Sequence, residues 1–211
     1  MYENTEVNGH RYNKETDTVE ITTRNGQTIF AKKVIYSAGY EGTDIKKEKT
    51  VSFVSTYTVT TNQIADLSTW YKRTLIWETA RPYLYLRTTD DNRIIIGGLD
   101  DHTNYPEDRD SKLMHKKNKL IQELKHMFPA IHAEPEFFSA AFYGGTVDGI
   151  PIIGKYDAFP NSYFLYAFRD NGTVYSQLLA KLIVQEITEG YCEEVSLYLE
   201  DRPQLDQKNV H

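Results

Sequence analysis

Residues 162–187 read "SYFLYAFRDNGTVYSQLLAKLIVQEI", an aromatic strand, a four-residue turn and an apolar helix that starts at once. Both elements look buried, so the turn that joins them fixes a strand-turn-helix unit more tightly than any other stretch of the chain. Asn171-Gly172 suits a turn in its own right. It also opens a helix, whose first N–H groups lack partners within the helix and carry the positive end of its dipole. Gly172 removes a side chain that would block a planar ligand, and Asn171 or Thr173 can cap the helix. An ordinary capped helix is the plainer account from these residues alone. A ligand with partial negative charge seated on the helix end is the other.

One short strand upstream lies "TVDGIPIIG". Asp148-Gly149 permits a tight turn, Pro151 fixes the chain, and Gly154 permits close backbone approach. By itself this is a loop of turn residues. Its place matters, because two glycine-bearing loops then flank the same strand.

The remaining chain is rich in strands. "VEITT" and "QTIFA" alternate on either side of Asn25-Gly26, a pair that favours a type I′ turn. "KVIY" is a short apolar run of the kind covered on both faces, and it ends at Ser37-Ala38-Gly39. "YLYLR" and "RIIIGG" flank "TTDDNR", so residues 83–98 form a hairpin. "ADLSTWYKR" reads as one short helical turn. Leu113, Leu120, Ile121, Leu124 and Phe128 share a helix face, with Asp110 or Ser111 as its cap and Pro129 as its stop. In the last helix Val174, Leu178, Leu179, Leu182 and Ile183 form the buried side, and Gly190 stops it. The stretch "EDRPQLDQKNVH", residues 200–211, reads as a frayed tail.

Thirty acidic residues against 24 basic give a net charge of −6, which argues against nucleic acid as the main partner. The single cysteine, Cys192, rules out a disulfide framework and a cysteine-based metal site, and suits a reducing cytoplasm. The six histidines show no metal-ligand spacing. No run of about 18 apolar residues occurs and the N-terminus is too polar for a signal peptide, so a cytoplasmic location with no membrane partner is expected. The 16 tyrosines fit amphipathic strands, or a pocket wall offering ring faces and hydroxyls. "WETARPYLYLRTT" sharpens that choice, because alternation puts Arg81, Tyr83, Tyr85 and Arg87 on one face. Arginine suits a two-pronged grip on a carboxylate, with tyrosines walling the site. A surface strand with cross-strand ion pairs accounts for the spacing equally well. The chain has no Gly-x-Ser-x-Gly elbow, no Walker loop and no GxGxxG, and Ser176 lies in a helix with no evident histidine partner.

Five separated segments, "VIYSAGYEG", "WETARPYLYLRTT", "RIIIGGLDD", "FYGGTVDGIPIIG" and "NGTVYS", occur in the order found in the FAD-dependent oxidoreductases of the D-amino acid oxidase, glycine oxidase and sarcosine oxidase superfamily. From about residue 17 to 190 the chain resembles the C-terminal half or more of such a protein. The resemblance implies an α+β fold: a mixed or antiparallel β-sheet substrate domain with flanking helices, plus the C-terminal remnant of an FAD-binding α/β domain. It divides the chain into a remnant of the FAD domain at 1–45, a substrate-binding domain at 46–137, a flavin-closing loop, strand and helix at 138–191, and a tail at 192–211. It assigns Ala38, Gly39, Asp148, Gly149, Ile150, Asn171, Gly172 and Thr173 to non-covalent FAD, and Arg81, Tyr83 and Tyr85 to an amine or amino-acid substrate. Hydride transfer to the flavin needs no separate catalytic residue. Two departures stand out. The dinucleotide-binding βαβ unit with its GxGxxG loop is absent from these residues, and Arg169-Asp170 stands where Gly-Gly is usual. The isolated chain is therefore expected to be inactive, and a truncated, non-catalytic relative that binds a small molecule or a protein is the rival reading. Surface left bare by a missing FAD half would favour self-association.

Overall fold

The structure is a computed structural model that describes residues 1–203 apart from Arg81, Asn104 and Ala167. The chain folds as two compact units, one made of Met1–Ser52 with Gly144–His211 and the other of Phe53–Tyr143. The architecture is α+β.

The first unit opens with β1 (Val7–Asn13), β2 (Thr18–Thr23) and β3 (Thr28–Ala31), an antiparallel sheet in sequence order. Alternation in β2 turns Val19 and Ile21 inward, where both are buried. The expected type I′ turn between β2 and β3 is not formed. Only Gly26 takes a positive φ, 79°, while Asn25 does not. The Gly26 N–H bonds to the Thr23 carbonyl and the Thr23 N–H to the Gln27 carbonyl, each at 2.9 Å. This is a three-residue loop, which needs a left-handed residue only at its last position.

Next come β4 (Val34–Tyr36), a 3-10 turn at Gly39–Glu41 and the single-turn α1 (Gly42–Ile45). The expected strand covered on both faces proves to be a sheet edge, with Ile35 45% exposed.

The second unit holds most of β5 (Val51–Thr61), then β6 (Ile76–Trp77), β7 (Leu84–Thr88), β8 (Ile94–Asp101), α2 (Pro106–Met127) and most of β9 (Pro135–Thr146). Its sheet runs β6-β7-β8-β5-β9. The hairpin read from residues 83–98 is β7 on β8, with Leu84 opposite Gly98 and Thr88 opposite Ile94. Leu120, Ile121 and Leu124 of α2 pack with Leu86, Ile94 and Ile96, and Phe128 stacks on Trp70 at 4.5 Å. The helix begins a turn earlier than its apolar spacing predicts. Pro106 occupies its first position, where a missing N–H costs nothing, and Glu107 and Asp108 sit at the positive end of the dipole.

The chain returns to the first unit with β10 (Ile152–Gly154), β11 (Ser162–Tyr166) and α3 (Gly172–Glu189). Strand β11 sits between β10, antiparallel to it, and β4, parallel to it. Tyr36 stacks on Phe164 at 4.4 Å and Tyr166 on Phe164 at 5.9 Å, so strand packing uses part of the tyrosine surplus. Leu179, Leu182 and Ile183 of α3 are buried, but Val174 and Leu178, expected beside them, are 67% and 37% exposed. Gly190 ends the helix at φ 82°. Of the tail read as frayed, Glu200 accepts the Lys155 N–H and Arg202 is held in place, while 204–211 lie outside the described residues. Cys192 and Val195 join the α3 core, a 3-10 turn spans Glu193–Tyr198, and Arg202 is buried.

Candidate functional site

Because β4 and β11 are parallel neighbours, the chain leaves both at the same edge of the sheet, the place where open α/β sheets bind ligands. After β4 come Ala38 and the 3-10 turn that opens with Gly39. After β11 come the 3-10 turn Arg169–Asn171 and α3, which opens with Gly172 and Thr173. The Tyr40 hydroxyl donates to the Arg169 carbonyl at 3.2 Å and ties the two exits together. Gly39 has φ 60° with open space where a Cβ would project, and the nearest atom to a Cβ on Gly172 is Phe168 Cβ at 3.6 Å. Ala38 and Gly39 thus follow one strand, and Asn171, Gly172 and Thr173 follow its parallel neighbour. The expected cap is absent, since Asn171 takes the N-cap position without a side-chain capping hydrogen bond.

Arg169 adopts φ 52°, a left-handed backbone that glycine tolerates far better than arginine. Its side chain lies along Gly145, where an added Cβ would stand 3.1 Å from Arg169 Cγ.

The Asp148-Gly149-Ile150 loop joins β9 to β10. The Asp148 carboxylate is fully buried and faces inward, toward Arg202 (Nε to Oδ2 and Nη2 to Oδ1, both 3.0 Å). It also accepts the Ile150 N–H at 3.1 Å and lies 2.8 Å from the Thr146 hydroxyl. Burial alone would raise its pKa, but the Arg202 fork, the Ile150 N–H and the Thr146 hydroxyl outweigh it and hold the carboxyl below the ordinary 3.8. Gly149 makes the turn at φ 75°. Ile150 and Tyr175, the latter from the first turn of α3, line one cleft of about 530 Å³ together with Leu197 and Tyr198. Arg202 escaped the sequence reading because its partner is 54 positions away.

In the second unit Tyr83 is buried, with its ring 6.0 Å edge-on from Trp77 and 6.3 Å from Tyr85. Arg81 lies outside the described residues. Two residues missed in the sequence join the tyrosines. The Tyr143 hydroxyl donates to Asp100 Oδ2 at 2.8 Å, and Asp100 Oδ1 is buried with no hydrogen-bond partner among the described residues. Burial, then the Asp100 carboxylate, pushes the Tyr143 pKa well up, so it stays a neutral donor. A bulge aims Asp100, because β5 pairs Tyr57 with Gly98 but Ser55 with Asp101, and Gly98 and Leu99 take φ 125° and 55°. The signal was legible in "GGLDD", since paired glycines inside a strand mark a bulge. Among the described residues no group of three or more His, Cys, Asp or Glu is placed to hold a metal ion, and no helix is long and apolar enough to cross a membrane.

The profile of one family, described as FAD dependent oxidoreductase, matches residues 1–186. The chain belongs to that family. Among curated protein sequences none matches significantly. Solved structures of several proteins share the fold of this chain. Glycine oxidase from Geobacillus kaustophilus has a TM-score of 0.68 at 19% identity, over 96% of this chain and 53% of its own. L-proline dehydrogenase from P. horikoshii gives 0.66 at 19%, over 93% and 53%. Fructosyl peptide oxidase from E. terrenum gives 0.72 at 9%, over 97% and 53%. The chain therefore spans about half the length of the solved structures it matches.

Set against the cofactor of this family, the residues fit at one end. An added Cβ would meet open space at Gly39 and touch Phe168 at Gly172, so the uncovered backbone is at Gly39, and the first turn of α3 offers its N–H groups. The cleft of about 490 Å³ along β4 is lined by Glu6, Glu41 and Asp44 among apolar side chains, which is no seat for a diphosphate.

Proposed function

We propose that this chain supplies the substrate-facing and flavin-closing parts of an FAD-dependent oxidoreductase acting on an amine or amino acid. The observation that carries the reading is the pair of parallel strand exits, Ala38-Gly39 and Asn171-Gly172-Thr173, joined by the Tyr40–Arg169 hydrogen bond. When bound, the flavin supplies the electron sink that accepts a hydride from the substrate carbon. The residues proposed here bind, orient and exclude water. Ala38, Gly39, Gly172 and Thr173 offer backbone to the ring, the α3 N-terminus favours its electron-rich edge, and Asp148 shapes Gly149 and Ile150 from behind. Tyr83 and Tyr85 wall the substrate, and Arg81 holds its carboxylate.

The acidic cleft beside β4 favours a second reading, in which the isolated chain binds a small molecule or a protein and catalyses nothing. Self-association through exposed apolar residues belongs with it. One titration separates the two. Adding FAD to the purified chain, with absorbance, flavin fluorescence and oxygen uptake followed, gives a yellow complex that consumes oxygen with glycine, sarcosine or D-amino acids if the chain is an independent oxidase. We expect weak but measurable flavin binding and no turnover, since these residues carry no GxGxxG loop for the diphosphate. A chain that leaves FAD fluorescence unchanged at every concentration defeats the proposal that these residues hold a flavin.

A further inference from the structure

We propose that Arg202 is a positioning residue: it clamps the loop between β9 and β10 and so sets the backbone shape this chain presents to a flavin. The inference rests on the flavin-closing role proposed above for that loop.

The guanidinium reaches six acceptors. Nε and Nη2 grip the two Asp148 oxygens at 3.0 Å each. Nη2 also donates to the Ile150 carbonyl at 2.8 Å, and Nη1 to the carbonyls of Pro151, Tyr198 and Leu199 at 3.1–3.2 Å. Every N–H of the fork is occupied, so Arg202 has nothing left to give a ligand, and its effect must pass through what it holds. It holds the loop almost completely. The Ile150 N–H goes to Asp148 and its carbonyl to Arg202, Pro151 has no N–H, and its carbonyl is also taken. The Gly149 N–H returns to the Thr146 carbonyl at 3.2 Å. Ile150 lines a cleft that Tyr175 of α3 also lines, and Asp148 and Arg202 contribute to the same wall. Burial is tight, with side-chain exposures of 6% for Arg202 and 0% for Asp148. A buried pair in this geometry is costly to break from one side, because the partner left behind keeps its charge and loses its donors. Lysine could restore the charge but not a planar fork that serves a carboxylate and four carbonyls at once.

The test is amide hydrogen exchange on the 211-residue chain, with and without FAD, for the natural sequence, Arg202→Lys, and the double variant Asp148→Asn with Arg202→Gln. In Arg202→Lys, exchange at residues 146–151 should quicken by roughly tenfold or more, while amides of β7 and β8 and of the α3 core stay within about twofold. The double variant removes both charges and gives a second folded background, in which the loop should again exchange faster because the carbonyls have lost their fork. Leu179→Ala serves as a control that loosens α3 itself. Where FAD slows exchange at 146–151 in the natural chain, that protection should weaken in Arg202→Lys. Unchanged loop exchange in Arg202→Lys, or an equal rise throughout the first unit, overturns the clamp. A natural loop that Arg202 protects but FAD does not affect overturns the flavin-closing reading and leaves the clamp standing.

Discussion

Gly98 and Gly39 both hold positive φ angles, 125° and 60°, yet they answer different demands. A Cβ on Gly98 would stand 2.2 Å from the Tyr83 carbonyl oxygen, so the β7–β8 pair itself would have to part. Around Gly39 there is open space, and a side chain there costs only its left-handed backbone. Gly98→Ala should therefore lose more than about 3 kcal/mol in urea unfolding, and Gly39→Ala about 1 kcal/mol. Equal losses would contradict the packing described at the bulge. Asp148 makes a pH-dependent contribution of definite sign. Its folded pKa lies below the ordinary 3.8, so its stabilising effect is complete above that value and disappears as pH falls through the lower, folded one. Urea midpoints measured from pH 5 downward should fall less steeply in Asp148→Asn than in the natural chain, and parallel curves would mean the carboxylate carries no such linkage. What the sequence revealed at this scale was chemistry that is local. Asp148-Gly149 announced a turn by residue type, whereas the arginine that fixes the turn lies 54 positions on in a tail with no periodic pattern.

Helix α3 shows how far periodicity reaches at the scale of an element. Its spacing named five inward residues, and the structure buries Leu179, Leu182 and Ile183 while leaving Val174 and Leu178 in solvent. The apolar stripe is wider than the neighbours available to cover it among the described residues, and spacing alone cannot say how wide a neighbour is. Buried Glu186 breaks the pattern in the other direction, and Lys155 meets its carboxylate. Leu179→Ala should destabilise by about 2–4 kcal/mol, and exposed Val184→Ala should stay within about 0.5 kcal/mol. Thermal or urea unfolding of both decides whether the buried side is the one described. Strands were legible for the same reason, because alternation in β2 and the turn residues between β7 and β8 are encoded over a few positions. The start of α2 was not, because its first turn consists of a proline and acidic residues with no apolar face to count.

At the scale of the whole chain, charge and bare apolar surface act together. A net charge of −6 at pH 7 repels copies from one another, while Ile35, Val174, Leu178 and Val184 remain exposed. That repulsion vanishes near the isoelectric point of about 5.5. Light scattering should therefore rise to a maximum near pH 5.5 and be reduced there by Val174→Ser with Val184→Ser. A flat profile would show that this surface does not drive association. Beyond solution behaviour, the parallel pairing of β4 with β11 dictates an order of events during synthesis. Lys33 and Asn161, which hydrogen-bond at the start of that pairing, are 128 positions apart, and the whole second unit is threaded between them. All residues of the inserted unit are made before the middle strand of the other unit's sheet, β11. Until β11 emerges, β4 is an edge with nothing to pair to, which gives a chaperone a reason to hold it.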